Sequence, residues 1–166
     1  MNFLLLESPY GTLLLVSDGF ALKQLSFIED LSTFQPNASW HKRKDDLLAA
    51  CQTQLEEWFT GQRQTFDLPL APEGTAFQQK VWKALQNIPY GTTCSYGNLA
   101  QAMSKPTAFR AVGSANGKNP IAIIIPCHRV VAAKGGLGGY AYGIELKQQL
   151  LALEAQHLHQ NAYQLA

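Results

Sequence analysis

The chain has 166 residues, of which 46% are hydrophobic and 15% are charged, and this composition excludes an intrinsically disordered or collagen-like chain. No apolar run approaches the ~20 residues of a membrane-spanning helix, and the apolar N-terminus lacks the basic segment and cleavage site of a secretory signal, so we expect no membrane partner. The net charge of +1 conceals an acidic half with five bases and ten acids (residues 1–73) and a basic half with eight bases and two acids (residues 74–166).

The first half predicts an α/β domain made of a small antiparallel sheet and one helix. Apolar, β-prone runs separated by turn residues are typical of hairpins, and apolar residues at helical spacing between an aspartate and a glycine are typical of a capped helix. The expected elements are a hairpin of residues 2–6 and 11–16, a strand near residues 20–27, a loop at residues 30–44, a helix from Asp45 to Gly61 and a short strand at residues 65–70.

A domain boundary is expected near residue 73. The segment from Leu70 to Gly74 has the proline and glycine of a linker, and the charge changes sign at the same place. We therefore predict an N-terminal supporting domain (residues 1–73) and a C-terminal domain (residues 74–166). A basic domain in a neutral protein favours a polyanionic partner, although mutual neutralisation of the two halves explains the charges equally well.

The second half is predicted to be mostly α-helical. Thr75 and Gln78 have the spacing of a capping box, Ser95 can cap a short helix, and Pro106 can occupy the first turn of the next helix. The expected helices are residues 75–88, a short helix after Ser95, residues 107–115 and residues 144–156. The two central helices form a helix-turn-helix pattern. Small residues on its second helix permit close approach to another backbone, either of nucleic acid or of the domain itself.

Cys127 is the strongest candidate for chemistry. The β-branched run of residues 121–126 predicts a buried strand that ends at Pro126 and presents Cys127. His128 and Arg129 follow, and an imidazole or a cation lowers the pKa of a nearby thiol. Because adjacent residues of a regular element point apart, the Cys127–His128 pair requires a turn, a bridging water or a third residue. An inert buried thiol is the less favoured alternative.

The other polar features indicate a binding loop and a buried acid. Residues 134–143 form a glycine- and tyrosine-rich loop without a phosphate-binding fingerprint, which either wraps a flat ligand or is a flexible surface loop. Glu154 lies among leucines of the last helix, where it can pair with a histidine or an arginine. The remaining histidines have no zinc-ligand spacing, so no metal is expected. Three unevenly spaced cysteines favour a reducing, cytoplasmic location without a disulfide framework.

The hexapeptide Ile125-Pro126-Cys127-His128-Arg129-Val130 resembles the acceptor motif of the O6-alkylguanine-DNA alkyltransferases, also called methylated-DNA–protein-cysteine methyltransferases. Other motifs of that family follow in its order over about residues 74–157. These motifs are Phe77–Trp82, Ile88–Gly91, Ser95-Tyr96, Arg110–Gly113, Asn119-Pro120, Gly139–Ala141 and Leu150–Glu154. The first 73 residues show no comparable motif, although their length and order resemble the family's N-terminal α/β domain.

The resemblance implies a monomeric DNA-repair protein whose partner is double-stranded DNA carrying O6-alkylguanine, with weaker action on O4-alkylthymine and no cofactor. The alkyl group would pass irreversibly to the protein in one suicidal turnover, after the damaged base has flipped out of the helix. By resemblance, Cys127 is the alkyl acceptor and His128 the base that deprotonates it through a water. Glu154 orients that histidine, and Asn119 holds the turn by hydrogen bonds.

The resemblance also implies a DNA-binding surface and a substrate pocket. Tyr96 is expected to crowd the 3′ phosphate of the target and to assist protonation of the leaving guanine. Arg110 is expected to fill the stack that the flipped base vacates, with the second helix of the helix-turn-helix in the minor groove. The predicted DNA-contacting residues are Tyr96, Arg110, Ala111, Gly113 and Arg129, and the predicted pocket residues are Tyr140, Ala141 and Tyr142.

Two positions depart from the family pattern near the expected site. Tyr142 stands where many members have glycine, which would narrow the pocket or alter the tolerated alkyl group. Phe109 stands where a small residue usually precedes the arginine, which would change the fit in the groove. Two other functions remain open: a damage-sensing module that binds DNA without chemistry, and a cysteine hydrolase that uses Cys127, His128 and Glu154. The presence of Cys127 favours the alkyltransferase.

Overall fold

Two units make up the fold in the computed structural model, which describes residues 1–165. One unit comprises Met1–Glu73 together with the short segment Pro120–Ala122. The other comprises Gly74–Asn119 and the residues from Ile123 onward. Residue 166, the end of the predicted C-terminal domain, lies outside the described residues.

The first unit contains a four-stranded sheet and one helix. Its strands are β1 (Asn2–Ser8), β2 (Gly11–Ser17), β3 (Leu22–Phe27) and β4 (His41–Lys42), in the spatial order β3-β2-β1-β4. The β1–β2 and β2–β3 pairs are antiparallel, and β4 joins β1 in parallel. Helix α1 (Asp46–Phe59) packs on β1 and β2. The side chains of β2 after Gly11 are buried on both faces of the sheet, and Leu14 and Val16 belong to a core cluster against which Phe34 and Trp40 pack.

The second unit is built from helices around one small sheet. Its helices are α2 (Ala76–Leu85), α3 (Tyr96–Ala102), α4 (Phe109–Gly117) and α5 (Ile144–Leu165), and strand β5 (Cys94–Ser95) pairs in parallel with β6 (Val130–Val131). Short 3-10 helices cover Cys127–Arg129 and Ala133–Gly135. Helix α4 packs against both α2 and α3. The buried indole of Trp82 donates a hydrogen bond of 2.9 Å to the Ala115 carbonyl, which ties α2 to α4.

The predicted fold class is confirmed, an α/β unit followed by a mostly helical one. The capping box at Thr75 and Gln78 is present, and the Ser95 hydroxyl accepts a hydrogen bond from the Asn98 amide at the start of α3. These local signals were readable because a cap acts within one turn of its own helix. Helices α3 and α4 are consecutive and pack together, and their use as a DNA-binding helix-turn-helix stays a prediction.

The strand predicted at residues 121–126 is wrong, although all six residues are buried. Leu25 donates to the Pro120 carbonyl and accepts from the Ala122 amide, so the segment forms a single bridge with β3. The chain then turns, and Ile123 adopts a φ of 67°, which is uncommon for a β-branched residue. An apolar run predicts burial, but it does not distinguish a strand from a buried turn.

Several other boundaries differ from the prediction, and among them α2 ends at Leu85 instead of residue 88 and β3 begins at Leu22 instead of residue 20. At residues 65–70 only Leu70 forms a bridge, because Pro69 has no amide hydrogen to donate. The loop at residues 30–44 contains β4, α4 begins at Phe109 instead of residue 107, and α5 continues past residue 156 to Leu165. Among residues 1–165, no helix combines the length and hydrophobicity that crossing a bilayer requires.

Candidate active site

Cys127 is the first residue of a 3-10 helix, not the end of a strand as predicted. Pro126 before it has a φ of −81° and a ψ of 63°, and the Cys127 amide donates 2.8 Å to the Ile125 carbonyl across this inverse γ-turn. The Asn119 side chain donates to the same carbonyl at 2.7 Å, and the Asn116 side chain donates to the Cys127 carbonyl at 3.4 Å. Two asparagine amides therefore hold the backbone that presents the sulfur.

Glu154 of α5 lies behind Cys127 and binds two basic side chains. Its Oε1 is 3.2 Å from His128 Nε2 and accepts a hydrogen bond of 2.7 Å from Arg129 Nε. His128 and Glu154 are fully buried, and Arg129 is 6% exposed. Burial alone would raise the pKa of Glu154, but hydrogen bonds from His128 and Arg129 hold that pKa below its ordinary value. The site therefore contains a buried carboxylate with its charge balanced by arginine.

The carboxylate determines which nitrogen of His128 carries the proton. Because Glu154 is ionised, Nε2 must donate its hydrogen to it, and this leaves Nδ1 with the lone pair that can accept a proton. Burial lowers the pKa of His128 below its ordinary value, and contact with Glu154 only partly opposes that effect. His128 is therefore neutral at pH 7 and able to act as a base.

The Cys127 thiol is protonated at rest. Burial raises its pKa, against the opposing effects of a hydrogen bond from Asn119, the positive charge of Lys147 and the hydroxyl of Tyr140. The side chain is 3% exposed, so few water molecules can solvate a thiolate. A nucleophilic sulfur here requires a base and fixed positive or hydrogen-bonding groups, and the site supplies both.

Lys147 of α5 is one such group, and it is not among the residues predicted from the sequence. Its side chain is fully buried, and its ammonium donates to the Val130 carbonyl at 2.5 Å and to the Gly139 carbonyl at 3.0 Å. The ammonium also lies 6.0 Å from the Tyr96 ring centroid. The signal was present, since Lys147 is three residues before buried Leu150 and seven before Glu154, on one face of the helix.

A cavity of about 400 Å³ opens in front of Cys127, entirely within the second unit. Tyr140 and Tyr142 stand edge to face in its wall, with ring centroids 5.5 Å apart, and Ala141 lies between them. The other residues of the lining are Tyr96, Gly113, Asn116, Gly117, Asn119 and Gly139. Burial raises the pKa of Tyr96, so its hydroxyl is a proton donor at neutral pH. Residues 139–142 of the glycine-rich loop thus form part of the cavity wall, and its predicted binding of a flat ligand stays a prediction.

Glycines let the Tyr96 ring sit close to the cavity wall. A Cβ added at Gly138 would lie 3.0 Å from the ring, and the backbone there has a φ of +72°, which other residues rarely adopt. Across the ring, a Cβ at Gly113 of α4 would lie 3.6 Å from Tyr96. The loop, α3 and α4 therefore converge on one tyrosine at the cavity.

The predicted DNA-contacting residues fall into two groups. Arg110 and Ala111 are exposed on the first turn of α4, and Gly113 and Tyr96 are half-buried where α4 meets the cavity. Arg129 does not belong with them and is a correction to the prediction. It is buried, its Nη1 donates to the Ile88 carbonyl at 2.8 Å, and its guanidinium lies over the Tyr90 ring. Only 6% of its surface is exposed, so little of it is accessible to DNA.

Asn116 was also missed by the sequence analysis, because a lone asparagine in a small-residue helix has no distinctive local signal. It is buried at the end of α4, where it both lines the cavity and contacts the Cys127 backbone. Within residues 1–165, no three His, Cys, Asp or Glu side chains are grouped to hold a metal ion. The absence of a metal and of a cofactor stays a prediction.

Two family models together match nearly the whole chain. The model described as "6-O-methylguanine DNA methyltransferase, ribonuclease-like domain" matches residues 1–72, and the "DNA binding domain" of the same name matches residues 76–156. A methylated-DNA–protein-cysteine methyltransferase of Methanosarcina barkeri is 48% identical over 158 residues, which cover 95% of this chain and 99% of that protein. Its counterpart in Haemophilus influenzae is 45% identical, over 89% of this chain and 82% of that protein.

Solved structures agree with these matches. The OGT of Mycobacterium tuberculosis, crystallised in complex with DNA, is 43% identical with a TM-score of 0.87, covering 95% of this chain and 94% of that one. An O6-methylguanine DNA methyltransferase from Methanococcus jannaschii is 26% identical with a TM-score of 0.66, covering 92% of this chain and 93% of that one. The similarity therefore includes both units and not the acceptor motif alone.

Proposed function

The chain belongs to the 6-O-methylguanine DNA methyltransferase family, and from that premise we propose that it repairs alkylated DNA by taking the alkyl group onto Cys127. The substrate is O6-alkylguanine in double-stranded DNA. The observation that carries the proposal is the buried Cys127 beside the His128–Glu154 pair, at the end of a cavity large enough for one base.

The reaction begins with a proton leaving the sulfur. Nδ1 of His128 takes the Cys127 proton through a water molecule, and Glu154 stabilises the imidazolium that forms. Lys147 and the Tyr140 hydroxyl stabilise the thiolate. The fixed charges thus compensate for the burial that otherwise keeps the thiol protonated.

The thiolate then displaces guanine at the alkyl carbon. A sulfur–carbon bond forms as the carbon–O6 bond breaks, and the electron pair of the broken bond leaves with the guanine. The Tyr96 hydroxyl, protonated at neutral pH, donates a proton to the leaving base, and the proton held by His128 returns to Tyr96 through solvent. The product is a thioether that no group of the site can cleave, so each molecule reacts once.

Base flipping precedes the chemistry, because a buried sulfur cannot reach a base that remains stacked. Extrusion costs a few kcal/mol, and less for a weakened pair. Arg110 is exposed on α4, the helix that also lines the cavity through Gly113, and we propose that it fills the vacated place in the stack. O4-alkylthymine presents the same alkoxy group on a smaller ring, and we propose that it reacts more slowly.

Intact-protein mass spectrometry tests the proposal. After incubation with duplex DNA containing O6-methylguanine, each molecule should gain the mass of one CH2 on Cys127, and Cys127→Ser should gain nothing. Cys94→Ser is the matched control, a second accessible thiol that should leave the gain intact.

Other outcomes would reject the proposal in distinct ways. An unchanged mass despite tight DNA binding would indicate a damage sensor without chemistry. Methanol released over many turnovers would indicate a hydrolase. Methyl found on another residue would exclude Cys127 as the acceptor.

A further inference from the structure

Phe109 is an exposed aromatic residue at the start of α4. Its side chain is 48% exposed, and among the described residues of the second unit it is the only aromatic among the large exposed hydrophobic side chains. Of the exposed residues that follow it on α4, only Arg110 has a long side chain, and the others are Ala111, Ser114 and Gly117. Phe109 and Arg110 are therefore the two large exposed side chains of this helix.

Helical spacing places Phe109 beside the cavity that contains Cys127. Phe109, Gly113 and Asn116 are four and three residues apart, so they share one face of α4, and the latter two line the cavity. The backbone of Phe109 is thus about 6 Å along the helix axis from that of Gly113, at 1.5 Å per residue. Phe109 therefore begins the helix face that continues into the cavity wall.

Phe109 is also paired with a cation. The guanidinium carbon of Arg110 lies 5.8 Å from the centre of the Phe109 ring, within the range of a cation–π contact. Apart from buried Arg129, the sequence from residue 74 to residue 144 contains six lysines and arginines, all of them exposed, and no acidic residue. This positive charge favours binding to a polyanion such as DNA. A flat aromatic ring next to a planar guanidinium can also stack on the bases of a nucleic acid.

We propose that Phe109 is an aromatic wedge that enters the minor groove together with Arg110 and stacks on the base pair flanking the flipped nucleotide. The inference rests on the proposed function and adds a second residue to base extrusion. Arg110 replaces the missing base, and Phe109 holds the neighbouring step open. Wedges of this kind offset the cost of unstacking by the contacts that they gain.

The proposal predicts a loss that depends on the state of the DNA. Phe109→Ala should slow methyl transfer from duplex O6-methylguanine about tenfold, the lower range of what aromatic–base stacking contributes. Reaction with single-stranded O6-methylguanine or with free O6-benzylguanine should stay within about twofold of the wild type, since neither requires a base step to be opened. Phe109→Trp, which keeps a flat ring, should retain most of the duplex rate.

Two further variants separate the wedge from charge and from general surface hydrophobicity. Arg110→Ala should slow duplex repair. It should also reduce the slope of log K for DNA binding against log salt concentration by about one, whereas Phe109→Ala should leave that slope unchanged. Phe20→Ala is the matched control, because Phe20 is an 87% exposed aromatic of the first unit, and all its rates should equal those of the wild type.

The measurement is single-turnover methyl transfer on the three substrates, with thermal melting of each variant. Equal losses by Phe109→Ala on all substrates, or a lowered melting temperature, would assign the ring a structural role and overturn the proposal. An unchanged duplex rate would overturn it as well. If the wild-type protein accepts no methyl from DNA, the proposed function fails instead, and the two failures are thereby distinguished.

Discussion

Two arginines of the second unit lie in opposite environments. One is on the first turn of α4, and the other belongs to the buried group of His128, Arg129 and Glu154. Arg110 is exposed and contacts the ring of its neighbour Phe109. Arg129 is 6% exposed and binds Glu154 and the Ile88 carbonyl. One guanidinium is available to a partner, whereas the other has its hydrogen bonds and its charge satisfied inside the protein.

The difference shows how one unit performs two tasks with the same side chain. An exposed arginine contributes little to folding but can meet a phosphate or a base, because water leaves it mobile and solvated. A buried arginine neutralises a carboxylate, and here that carboxylate is also hydrogen-bonded to His128. In the proposed reaction, the acceptor chemistry therefore depends on an ion pair that is buried inside the protein.

The largest expected effect is on folding. Arg129→Met leaves Glu154 buried without a counter-charge, so we expect the free energy of unfolding to fall by about 3–5 kcal/mol. Arg110→Met, the matched change at the surface, should alter it by less than about 0.5 kcal/mol. Urea denaturation of the two variants measures both values. Losses of similar size would contradict the assignment of the two environments.

The difference in the free energy of unfolding between the wild type and Arg129→Met should also depend on pH, and the sign of that dependence follows from the pKa of Glu154. The pKa of Glu154 in the folded protein lies below its ordinary value of 4.5 because of its hydrogen bonds to His128 and Arg129. The stability that its charge contributes is thus present above pH 4.5 and is lost as the pH falls through the lowered value. The difference between wild type and Arg129→Met should therefore narrow in acid.

Lys147 should have a smaller effect, on reactivity more than on folding. Its charge favours the Cys127 thiolate, so Lys147→Met should raise the pKa of the thiol. The rate with free O6-benzylguanine at pH 7 should fall about tenfold, the factor for about 1.4 kcal/mol. The exposed Lys83 gives the matched control, Lys83→Met, with no expected change.

The pH profile distinguishes electrostatics from positioning at Lys147. If the lost charge is the cause, the rate of Lys147→Met recovers as the pH rises and the thiol ionises without help. If the loss of its hydrogen bonds to the Val130 and Gly139 carbonyls is the cause, the rate stays low at every pH.

Features that depend on residues close together in the sequence could be predicted, and features that depend on distant contacts could not. The caps at Thr75 and Ser95 and the burial of residues 121–126 follow from neighbouring residues, and they were predicted correctly. The turn at Ile123 was not predicted, and the residues just before it, Pro120 and Ala122, bond to Leu25, far away in the sequence. The acceptor motif identified the family, whose models match both units.

The environment of a charged residue was harder to predict from the sequence than a helix cap. Arg129 was assigned to DNA because nothing adjacent to it reveals Glu154, which lies 25 residues away, or the Ile88 carbonyl, which lies 41 residues away. Lys147 shares a helical face with Leu150 and Glu154, and that periodicity was the available sign of burial. In this chain, a charged residue on an apolar helix face is therefore a sign of a buried hydrogen-bonding group.

A change at Tyr142 should have the smallest effect on the rate of reaction. Tyr142 lines the cavity in front of Cys127. Its ring stands edge to face with Tyr140 in the cavity wall, and burial raises its pKa to about 12, so it stays neutral. Removing the ring in Tyr142→Ala should enlarge the cavity and speed reaction with free O6-benzylguanine about threefold, because a bulky group gains room near the sulfur. The rate with O6-methylguanine in DNA should change by less than about twofold.

Tyr142→Phe is the control for this prediction, since it keeps the ring and loses only the hydroxyl, and it should match the wild type on both substrates. The decisive measurement is the ratio of the rate with free O6-benzylguanine to the rate with O6-methylguanine in DNA. A thiol made more or less reactive would change both rates by one factor, whereas a wider cavity favours the larger substrate. A constant ratio would mean that Tyr142 acts on Cys127, whose thiolate charge it senses, and not on the size of the alkyl group.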